Sequence, residues 1–412
     1  MSDRVLIIGA SELQLPLIDL ARQKGLYIGI VDRDPHAVGV KSADVFFPVS
    51  TTNIAGVVDV ARNFMPQGIV TMATDMPMRA LAAACEALHL PGISQKCALA
   101  CTDKGLMMSR FHEAEVPSPW FRVYSEISEY IEDIADLPLP CILKPVDSSG
   151  SRGVVELTTP DEAIEMYEYA VAASREGRII VEELLVGQEI SVEILCESGK
   201  PRAIATTSKT TTGAPHFVEI GHSQPADLTK QEITSVTEVA CAAVRALGIT
   251  TGAAHVELMV TYNGPKLIEV GARLGGDYIT SHLTPMSTGV NMVEAVLDMS
   301  LGRSCHIPDP RKGGSAIRYI TAGSGIVTSV SGMEQAKAVS GVAEAQLTKP
   351  IGYHYGELHG SDERLGYVIA KGSCANEAIS RCNEAISLIH VEVQSDTVNT
   401  CCNTTSDSME YS

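Results

Sequence analysis

Two carboxylates lie on neighbouring segments that both have the composition of strands. Glu257 lies within residues 255–258 (His-Val-Glu-Leu) and Glu269 within residues 267–270 (Leu-Ile-Glu-Val). The link 262–264 (Tyr-Asn-Gly) is typical of a tight turn, so we expect adjoining strands whose acids face one way. Acids in apolar surroundings are costly without a cation, and Mg²⁺ bridging phosphates takes such hard oxygen ligands. The pattern predicts a magnesium site.

An arginine stands among glycines directly after the second acid. Residues 271–277 read Gly-Ala-Arg-Leu-Gly-Gly-Asp, with Arg273 near the centre. A guanidinium can hold a carboxylate or a phosphoryl oxygen through two hydrogen bonds, and glycines allow close approach. The segment predicts that Arg273 binds a reacting group. A structural pair between arginine and aspartate stays open as the alternative.

A lysine followed by small residues forms a third feature. Lys144 ends an apolar segment, and residues 147–153 read Asp-Ser-Ser-Gly-Ser-Arg-Gly. Consecutive backbone N–H groups of such a loop can turn towards one anion, and the lysine adds positive charge for the same phosphates. The Gly-Lys-Ser/Thr ending of a P-loop is absent. The segment predicts phosphate binding, although a flexible surface loop would have the same composition.

An acidic turn is the fourth feature. Residues 181–189 read Val-Glu-Glu-Leu-Leu-Val-Gly-Gln-Glu, a strand that ends in acids before a glycine turn. One carboxylate there could face an adenine amine and another the ribose hydroxyls. A solvated acidic turn remains the alternative.

The elements that must position these residues alternate in type. Residues 4–93 contain short strands separated by helices, which is typical of a doubly wound parallel sheet. Segments 178–185 and 189–195 alternate well enough for an antiparallel sheet. We therefore expect an α/β and α+β protein with these parts: 1–95, a parallel domain; 96–310, the domain that carries the chemistry; 311–395, a small α+β domain; and 396–412, a disordered tail.

The first strand carries a misleading signal. Gly9 follows it, and Asp32 ends the second strand about twenty residues later, as in dinucleotide-binding folds. The second and third glycines of that fingerprint are missing, so we do not expect a nicotinamide cofactor.

Composition excludes several classes of protein. The 412 residues carry a net charge of −19, which argues against binding to a nucleic-acid backbone. No run of eighteen apolar residues exists, so no membrane span is expected. The eleven cysteines are scattered without metal or redox spacing. They favour reduced thiols in a cytoplasmic protein.

Taken in order, these features resemble the ATP-grasp superfamily: a lysine (Lys104), a lysine with a glycine-rich lid, an acidic hinge, two metal acids and an arginine. The likeness covers residues 1–310. Within the superfamily the chain is most similar to the L-amino-acid ligases, which make dipeptides. Residues 219–225 (Glu-Ile-Gly-His-Ser-Gln-Pro) and the segment from Ser315 to Ile389 carry that second likeness.

The resemblance implies ATP and Mg²⁺ as cofactors, with Mn²⁺ as a substitute, and a lid spanning about residues 115–185. It implies small-molecule carboxylate and amine substrates, amino acids above all, and it leaves a homodimer open. Transferred position by position, it implies the following roles: ATP phosphates at Lys104 and Lys144; a closing lid at Ser149, Gly150, Ser151 and Gly153; adenine at Glu182, Leu184 and Leu185; ribose at Glu189; Mg²⁺ at Glu257 and Glu269; the acyl phosphate at Arg273; the acceptor amine at Glu219; and substrate beside His222, Gly276 and Asp277.

The sequence departs from the superfamily pattern after the second acid. Members usually have Asn two residues beyond it, where this chain has Gly271, so one metal ligand is missing or replaced by water. Asp277 could favour a basic or polar amine acceptor, or it could pair with Arg273. Asp75 could border the site or cap a helix.

These parts predict one reaction and leave two rivals. A carboxylate would attack the γ-phosphate, and an amine would displace phosphate from the acyl phosphate while Glu219 takes its proton. The first rival is activation of bicarbonate or formate, as in biotin carboxylases and purine-synthesis enzymes. The second is a nucleotide-binding module without catalysis.

Overall fold

A computed structural model of the chain describes residues 2–150, 152–213 and 217–394. The predicted lid residue Ser151 and the predicted tail 396–412 lie outside the described residues.

The N-terminal part is a parallel sheet between helices. Its elements are β1 (Arg4–Ile8), α1 (Leu15–Gln23), β2 (Tyr27–Asp32), β3 (Val45–Pro48), α2 (Ile54–Phe64), β4 (Gly68–Val70) and α3 (Met78–Leu88). The strand order is β3-β2-β1-β4, with every pair parallel. The central strand is buried from Val5 to Ile8, as expected where helices cover both faces. The predicted doubly wound sheet is confirmed.

A small antiparallel sheet follows after two helices. The elements are α4 (Gln95–Ala100), α5 (Lys104–Glu113), β5 (Phe121–Tyr124), α6 (Ile127–Asp133), β6 (Cys141–Pro145), β7 (Val155–Leu157), α7 (Pro160–Ala172) and β8 (Ile179–Glu183). The strand order is β5-β8-β6-β7. Tyr130 and Tyr167 pack beneath this sheet in a core of its own. The part of the chain predicted as a lid, about residues 115–185, therefore has a hydrophobic core of its own.

A large antiparallel sheet forms the centre of the molecule. Its first elements are β9 (Gln188–Glu197), β10 (Lys200–Thr211), β11 (Glu219–Gln224), α8 (Lys230–Leu247), β12 (Gly252–Thr261) and β13 (Gly264–Gly271), and α9 (Thr284–Thr288) and α10 (Met292–Ser300) follow. The buried face of α8, which includes Val236, Ala240 and Val244, packs against Val192 and Val256 of the sheet. This apolar contact leaves the opposite face of the strands free for polar side chains.

The C-terminal part continues that central sheet. Its elements are β14 (Gly314–Ile320), β15 (Gly325–Ser331), α11 (Met333–Ala338), β16 (Val342–Leu347), β17 (His354–Tyr355), β18 (Gly366–Gly372), α12 (Ala375–Ser387) and β19 (His390–Gln394). Over the described residues the order is β13-β12-β9-β10-β11-β14-β18-β16, with β17-β15-β19 as a separate sheet. Because β14 pairs with β11, the C-terminal residues are fixed beside the predicted substrate segment.

No helix within the described part of the chain is long and apolar enough to cross a membrane.

Candidate active site

A cavity of about 230 Å³ lies where the small sheet faces the central sheet. Its walls contain most of the residues predicted from the sequence: Lys104, Lys144, Ser149, Gly150, Glu182, Leu184, Leu185, Glu189, Glu219, Glu257, Glu269 and Arg273. Asp75 lines it as well. Residues up to 198 positions apart in the chain therefore share one site.

The first predicted lysine is fixed by the start of its helix. Lys104 is the first residue of α5, and the side chain of Asp103 caps that helix by accepting from the Leu106 N–H. Arg178 holds the same Asp103 at 2.7 Å. The Lys104 ammonium donates to Glu269 Oε1 at 2.9 Å and to the Ser148 carbonyl at 2.7 Å. Lys104 therefore joins the start of α5, the loop at Ser148 and the predicted metal acid Glu269.

The second lysine is paired inside the small sheet. Lys144 Nζ lies 2.5 Å from Glu182 Oε2, and both side chains are buried. The other oxygen, Glu182 Oε1, is also buried and has no hydrogen-bond partner among the described residues. A buried acceptor of this kind is costly until a donor reaches it. The exocyclic amine of adenine is such a donor.

The lid loop lies over the cavity. Ser149 and Gly150 line it together with Arg152, whose Nε donates to the Ser149 carbonyl at 3.0 Å. Gly153 falls outside the lining and sits with φ at +75°, where its missing Cβ would collide with Ala173 and Pro145. Gly153 therefore shapes the loop rather than facing the cavity.

The two predicted metal acids are direct partners across β12 and β13. Glu257 and Glu269 pair in the antiparallel register, so their side chains project from the same face. Within the described residues, no group of three or more His, Cys, Asp or Glu side chains is arranged to hold a metal by itself. Two carboxylates that need phosphate and water to complete the shell suit Mg²⁺, which keeps waters and substrate phosphates as ligands.

A buried lysine that the sequence analysis missed neutralises three of the acids. Lys209 on β10 lies 2.9 Å from Glu257, 3.0 Å from Glu189 and 3.6 Å from Glu219, with its side chain 2% exposed. Burial lowers its pKa, but the three carboxylates outweigh burial and raise the pKa well above its usual value. The sequence signal was slight: one lysine in the threonine-rich strand 206–211.

The sequence analysis also missed the role of His255, which hydrogen-bonds Glu257. His255 Nε2 lies 3.1 Å from Glu257, and His255 Nδ1 lies 2.7 Å from Glu193, which is fully buried. Burial lowers the pKa of His255, yet the two glutamates raise it to about 9. The imidazole therefore fixes the orientation of Glu257, as hydrogen-bonded neighbours of metal ligands do.

Arg273 is held by the N-terminal part of the chain. Its Nη2 and Nε donate to Asp75 Oδ2 at 2.7 and 3.2 Å. Asp75 was predicted either to border the site or to cap a helix. The next helix, α3, begins at Met78 with Pro77 as its N-cap residue, so Asp75 is not the cap. Its side chain lines the cavity. Gly276 lies outside the cavity lining, and an added Cβ there would lie 3.2 Å from the Ala73 carbonyl.

The predicted substrate residues divide into two groups. Glu219 faces the cavity and accepts from Ser361 Oγ at 3.1 Å. His222 and Asp277 lie behind it, with 3.2 Å between His222 Nε2 and Asp277 Oδ2. Arg364 of the C-terminal part holds Asp277 with two bonds of 2.7 and 2.8 Å. One of the two alternatives for Asp277, a pair with Arg273, is therefore wrong: Asp277 pairs with Arg364, and Arg273 pairs with Asp75.

Arg364 joins the C-terminal part to the cavity wall. Besides Asp277, it donates to the Glu219 carbonyl at 3.2 Å and stacks 3.5 Å from the centre of the Tyr319 ring. Burial raises the pKa of Asp277, but Arg364 and His222 lower it well below the usual value. Asp277 is thus a paired anion, which leaves no free charge for a basic acceptor.

We expect Arg364→Met to lower the free energy of unfolding by about 3 kcal/mol, because it leaves Asp277, whose side chain is only 20% exposed, without its main partner. Urea denaturation at neutral pH measures this change. Arg381→Met is the control: Arg381 pairs with Glu377 at the surface, and its loss should cost less than about 1 kcal/mol. Equal losses in the two variants would show that the Asp277 pair carries no special weight.

Two family models match the chain. The ATP-grasp domain matches residues 137–281, and L-amino acid ligase C-terminal domain 2 matches residues 318–394.

Curated relatives include an uncharacterized protein, a formyltransferase and a ligase. Uncharacterized protein y4rH of Sinorhizobium fredii is 27% identical over 82% of this chain and 72% of its own length. A formate-dependent phosphoribosylglycinamide formyltransferase of Burkholderia lata is 24% identical over 94% of this chain and 95% of its own. The alanine–anticapsin ligase of Bacillus subtilis is 27% identical over 61% of this chain and 58% of its own.

Among solved structures, an L-amino acid ligase from Bacillus licheniformis matches with a TM-score of 0.81 and 22% identity, over 96% of this chain and 99% of that one. At that identity the match shows the fold. The chain therefore carries an ATP-grasp domain followed by an L-amino acid ligase C-terminal domain, and it belongs to the ATP-grasp ligases, enzymes that use ATP with Mg²⁺.

Proposed function

We propose that this ATP-dependent ligase joins two amino acids, or closely similar small molecules, through a peptide-type amide bond. The carboxylate of one substrate takes the γ-phosphoryl group of ATP, and the amine of the other then displaces phosphate. The observation that most supports this proposal is the position of Glu219. This acid lies on the wall of the cavity, and Ser361 and Arg364 of the C-terminal part hold it in place.

The nucleotide half of the cavity supplies position and charge. Lys104, Lys144, Ser149 and Gly150 all line the cavity. The two lysines would bring ammonium groups to the triphosphate, and the loop at Ser149 and Gly150 would cover it. Glu182 Oε1 would accept from adenine beside the backbone of Leu184 and Leu185. Phosphoryl transfer needs little else from a protein than alignment and neutralisation of charge.

The acyl phosphate would form beside Arg273. Glu257 and Glu269 would hold Mg²⁺, which spreads the charge that develops on the transferring phosphoryl group when it is bound. Arg273 would grip the acyl phosphate, and the closed lid would keep water from hydrolysing it. The side chain of Asp75 keeps the guanidinium facing the cavity before substrate arrives.

The amine half of the site is built around Glu219. Its carboxylate lies 3.6 Å from Lys209 Nζ and 3.1 Å from Ser361 Oγ, so both a strand of the central sheet and the C-terminal part orient it. An incoming ammonium group would bind this acid, and Glu219 would remove the proton released when the amine attacks. His222 stands one layer behind and holds Asp277.

We expect release of ADP and phosphate to require two amino acids together with Mg²⁺ and ATP. The measurement is a matrix of all single amino acids and all pairs, with mass spectrometry of the products. A product lighter than its two substrates by one water establishes the ligase and identifies both partners. If no amino acid and no pair of amino acids causes ADP release while ATP still binds, amino acids are excluded as the substrates.

A second candidate is activation of formate or bicarbonate. The formyltransferase relative from Burkholderia lata aligns over 94% of this chain, which is more than the 61% covered by the alanine–anticapsin ligase. Against it stands the C-terminal match to the L-amino acid ligases. ADP release that depends on added formate or bicarbonate, and not on a second amino acid, would decide for this candidate.

A further inference from the structure

Four side chains of alternating charge lie in a row next to Lys104, outside the lining of the cavity. Arg79 of α3 lies 2.9 Å from Glu176, and Arg178 lies 3.7 Å from the same carboxylate. Arg178 also lies 2.7 Å from Asp103, the N-cap residue of the helix that Lys104 begins. These four residues form the charge row, which joins the N-terminal part of the chain to the small antiparallel sheet and to α5.

The turn that contributes two members of the charge row also holds the start of the glycine-rich loop. This turn, at residues 173–178, connects α7 to β8. Asp147 accepts the Glu176 N–H through Oδ2 at 3.0 Å and the Ser174 hydroxyl through Oδ1 at 2.9 Å. The Asp147 side chain is 1% exposed, so these charge-assisted hydrogen bonds are shielded from water. The turn and the start of the loop are therefore fixed to each other.

Lys104 is tied to the same turn through the backbone. Its N–H donates to the Val146 carbonyl at 2.8 Å, and the Val146 N–H donates to the Arg178 carbonyl at 3.2 Å. The Lys104 ammonium donates to the Ser148 carbonyl of the loop at 2.7 Å. The lysine and the loop therefore share one support, and a displacement of the turn would move both.

Arg79 completes this support from the N-terminal part of the chain. Besides Glu176, it holds Thr102, with Nε 2.7 Å from the hydroxyl and Nη2 3.3 Å from the carbonyl. Thr102 lies two residues before Lys104. An isolated ion pair at a surface contributes little, but several charges in a network hold a defined geometry.

We propose that the charge row positions Lys104 and the start of the glycine-rich loop for the triphosphate of ATP. Its members are positioning residues, because they reach the cavity through Lys104 and Asp147. Glu182, which would face adenine, lies at the far end of β8 from the turn. The charge row should therefore matter for the phosphates and not for adenine. The inference concerns ATP binding alone and holds whichever carboxylate and amine react.

The test compares a ligand that has phosphates with one that has none. Isothermal titration calorimetry measures the affinity for a non-hydrolysable ATP analogue with Mg²⁺, and for adenosine, in wild type, Asp103→Asn and Glu176→Gln. Both substitutions remove a charge and keep the size of the side chain, and Asn can still cap α5. We expect each variant to bind the ATP analogue about two- to fivefold more weakly, as for loss of a partly exposed ion pair, and to bind adenosine as wild type does.

A double variant and matched controls separate positioning from a general loss of structure. The two acids share Arg178, so the double variant should lose less affinity for the ATP analogue than the product of the single losses. Arg178→Lys should retain most of the affinity that Arg178→Met loses. Glu168→Gln removes a charge from an exposed position on α7 and should bind both ligands as wild type does. Melting temperatures show that the variants are folded.

Three results would each overturn the proposal. The first is unchanged affinity for the ATP analogue in Asp103→Asn and Glu176→Gln. The second is an equal loss of affinity for adenosine, which would show a general effect on the cavity. The third is a loss in the double variant equal to the product of the single losses, which would show that the two acids act independently.

Discussion

Glu269→Gln is expected to reduce ADP release by about a thousandfold with the correct substrates, because it removes a metal ligand and the partner of Lys104 together. Losing one group that stabilises transition-state charge typically costs about 10²–10³ in rate, and here two charges are affected. Steady-state ADP release measures the effect. Mn²⁺ titration of the nucleotide-bound enzyme provides a second readout that does not depend on turnover.

The matched control is Glu238→Gln. It removes the same charge from an exposed position on α8, away from the cavity, so its turnover should equal that of the wild type. Near-normal turnover in Glu269→Gln would contradict the assignment of Glu269 to the metal.

Lys209→Met is expected to lower the free energy of unfolding by about 3–5 kcal/mol at neutral pH. It leaves Glu189, Glu219 and Glu257, whose side chains are 20–25% exposed, without the cation that they share, and an uncompensated charge that is largely buried costs about that much. The pKa of Lys209 is raised in the folded state, so its contribution is complete below the ordinary value of 10.5 and is lost only as pH rises through the folded value. The whole effect is therefore present at pH 7, where urea denaturation measures it.

Lys266→Met is the control for this loss. Lys266 on β13 pairs with Glu183 at 2.7 Å, but its side chain is 28% exposed, so we expect a change of less than about 1 kcal/mol. The deficit of Lys209→Met should also shrink as the pH falls towards 5, because carboxylates without a counter-charge take up protons more readily. A deficit that is equal in both variants, or constant between pH 5 and 8, would contradict the role given to Lys209.

The residues in the nucleotide half of the cavity could be predicted from the sequence because each motif lies within a short segment. Glu257 and Glu269 were predicted as a pair from two short strands and a turn, and the register between β12 and β13 does place them opposite each other. The lysine and loop at 144–153 lie within ten residues of one another. Such patterns depend on strand alternation and turn composition, which neighbouring residues decide.

The contacts in the substrate half of the cavity could not be predicted in the same way. Asp277 was assigned a free charge or a pair with Arg273, and its partner is Arg364, 87 positions later. The C-terminal part was expected as an appended domain, yet β14 pairs with β11 and extends the central sheet. Which strands become neighbours is decided by the packing of the whole sheet, so it leaves little trace in a single segment.

The sequence by itself predicted the fold class, the family and a set of residues for ATP and Mg²⁺, and the fold class and the family are confirmed. Tertiary structure alone decided which charges neutralise which: Lys209 with three acids, Arg273 with Asp75, and Arg364 with Asp277. The physical reason is that a charge is stabilised by whatever lies within a few ångströms of it. In this protein those partners come from strands and loops 10 to 198 positions away.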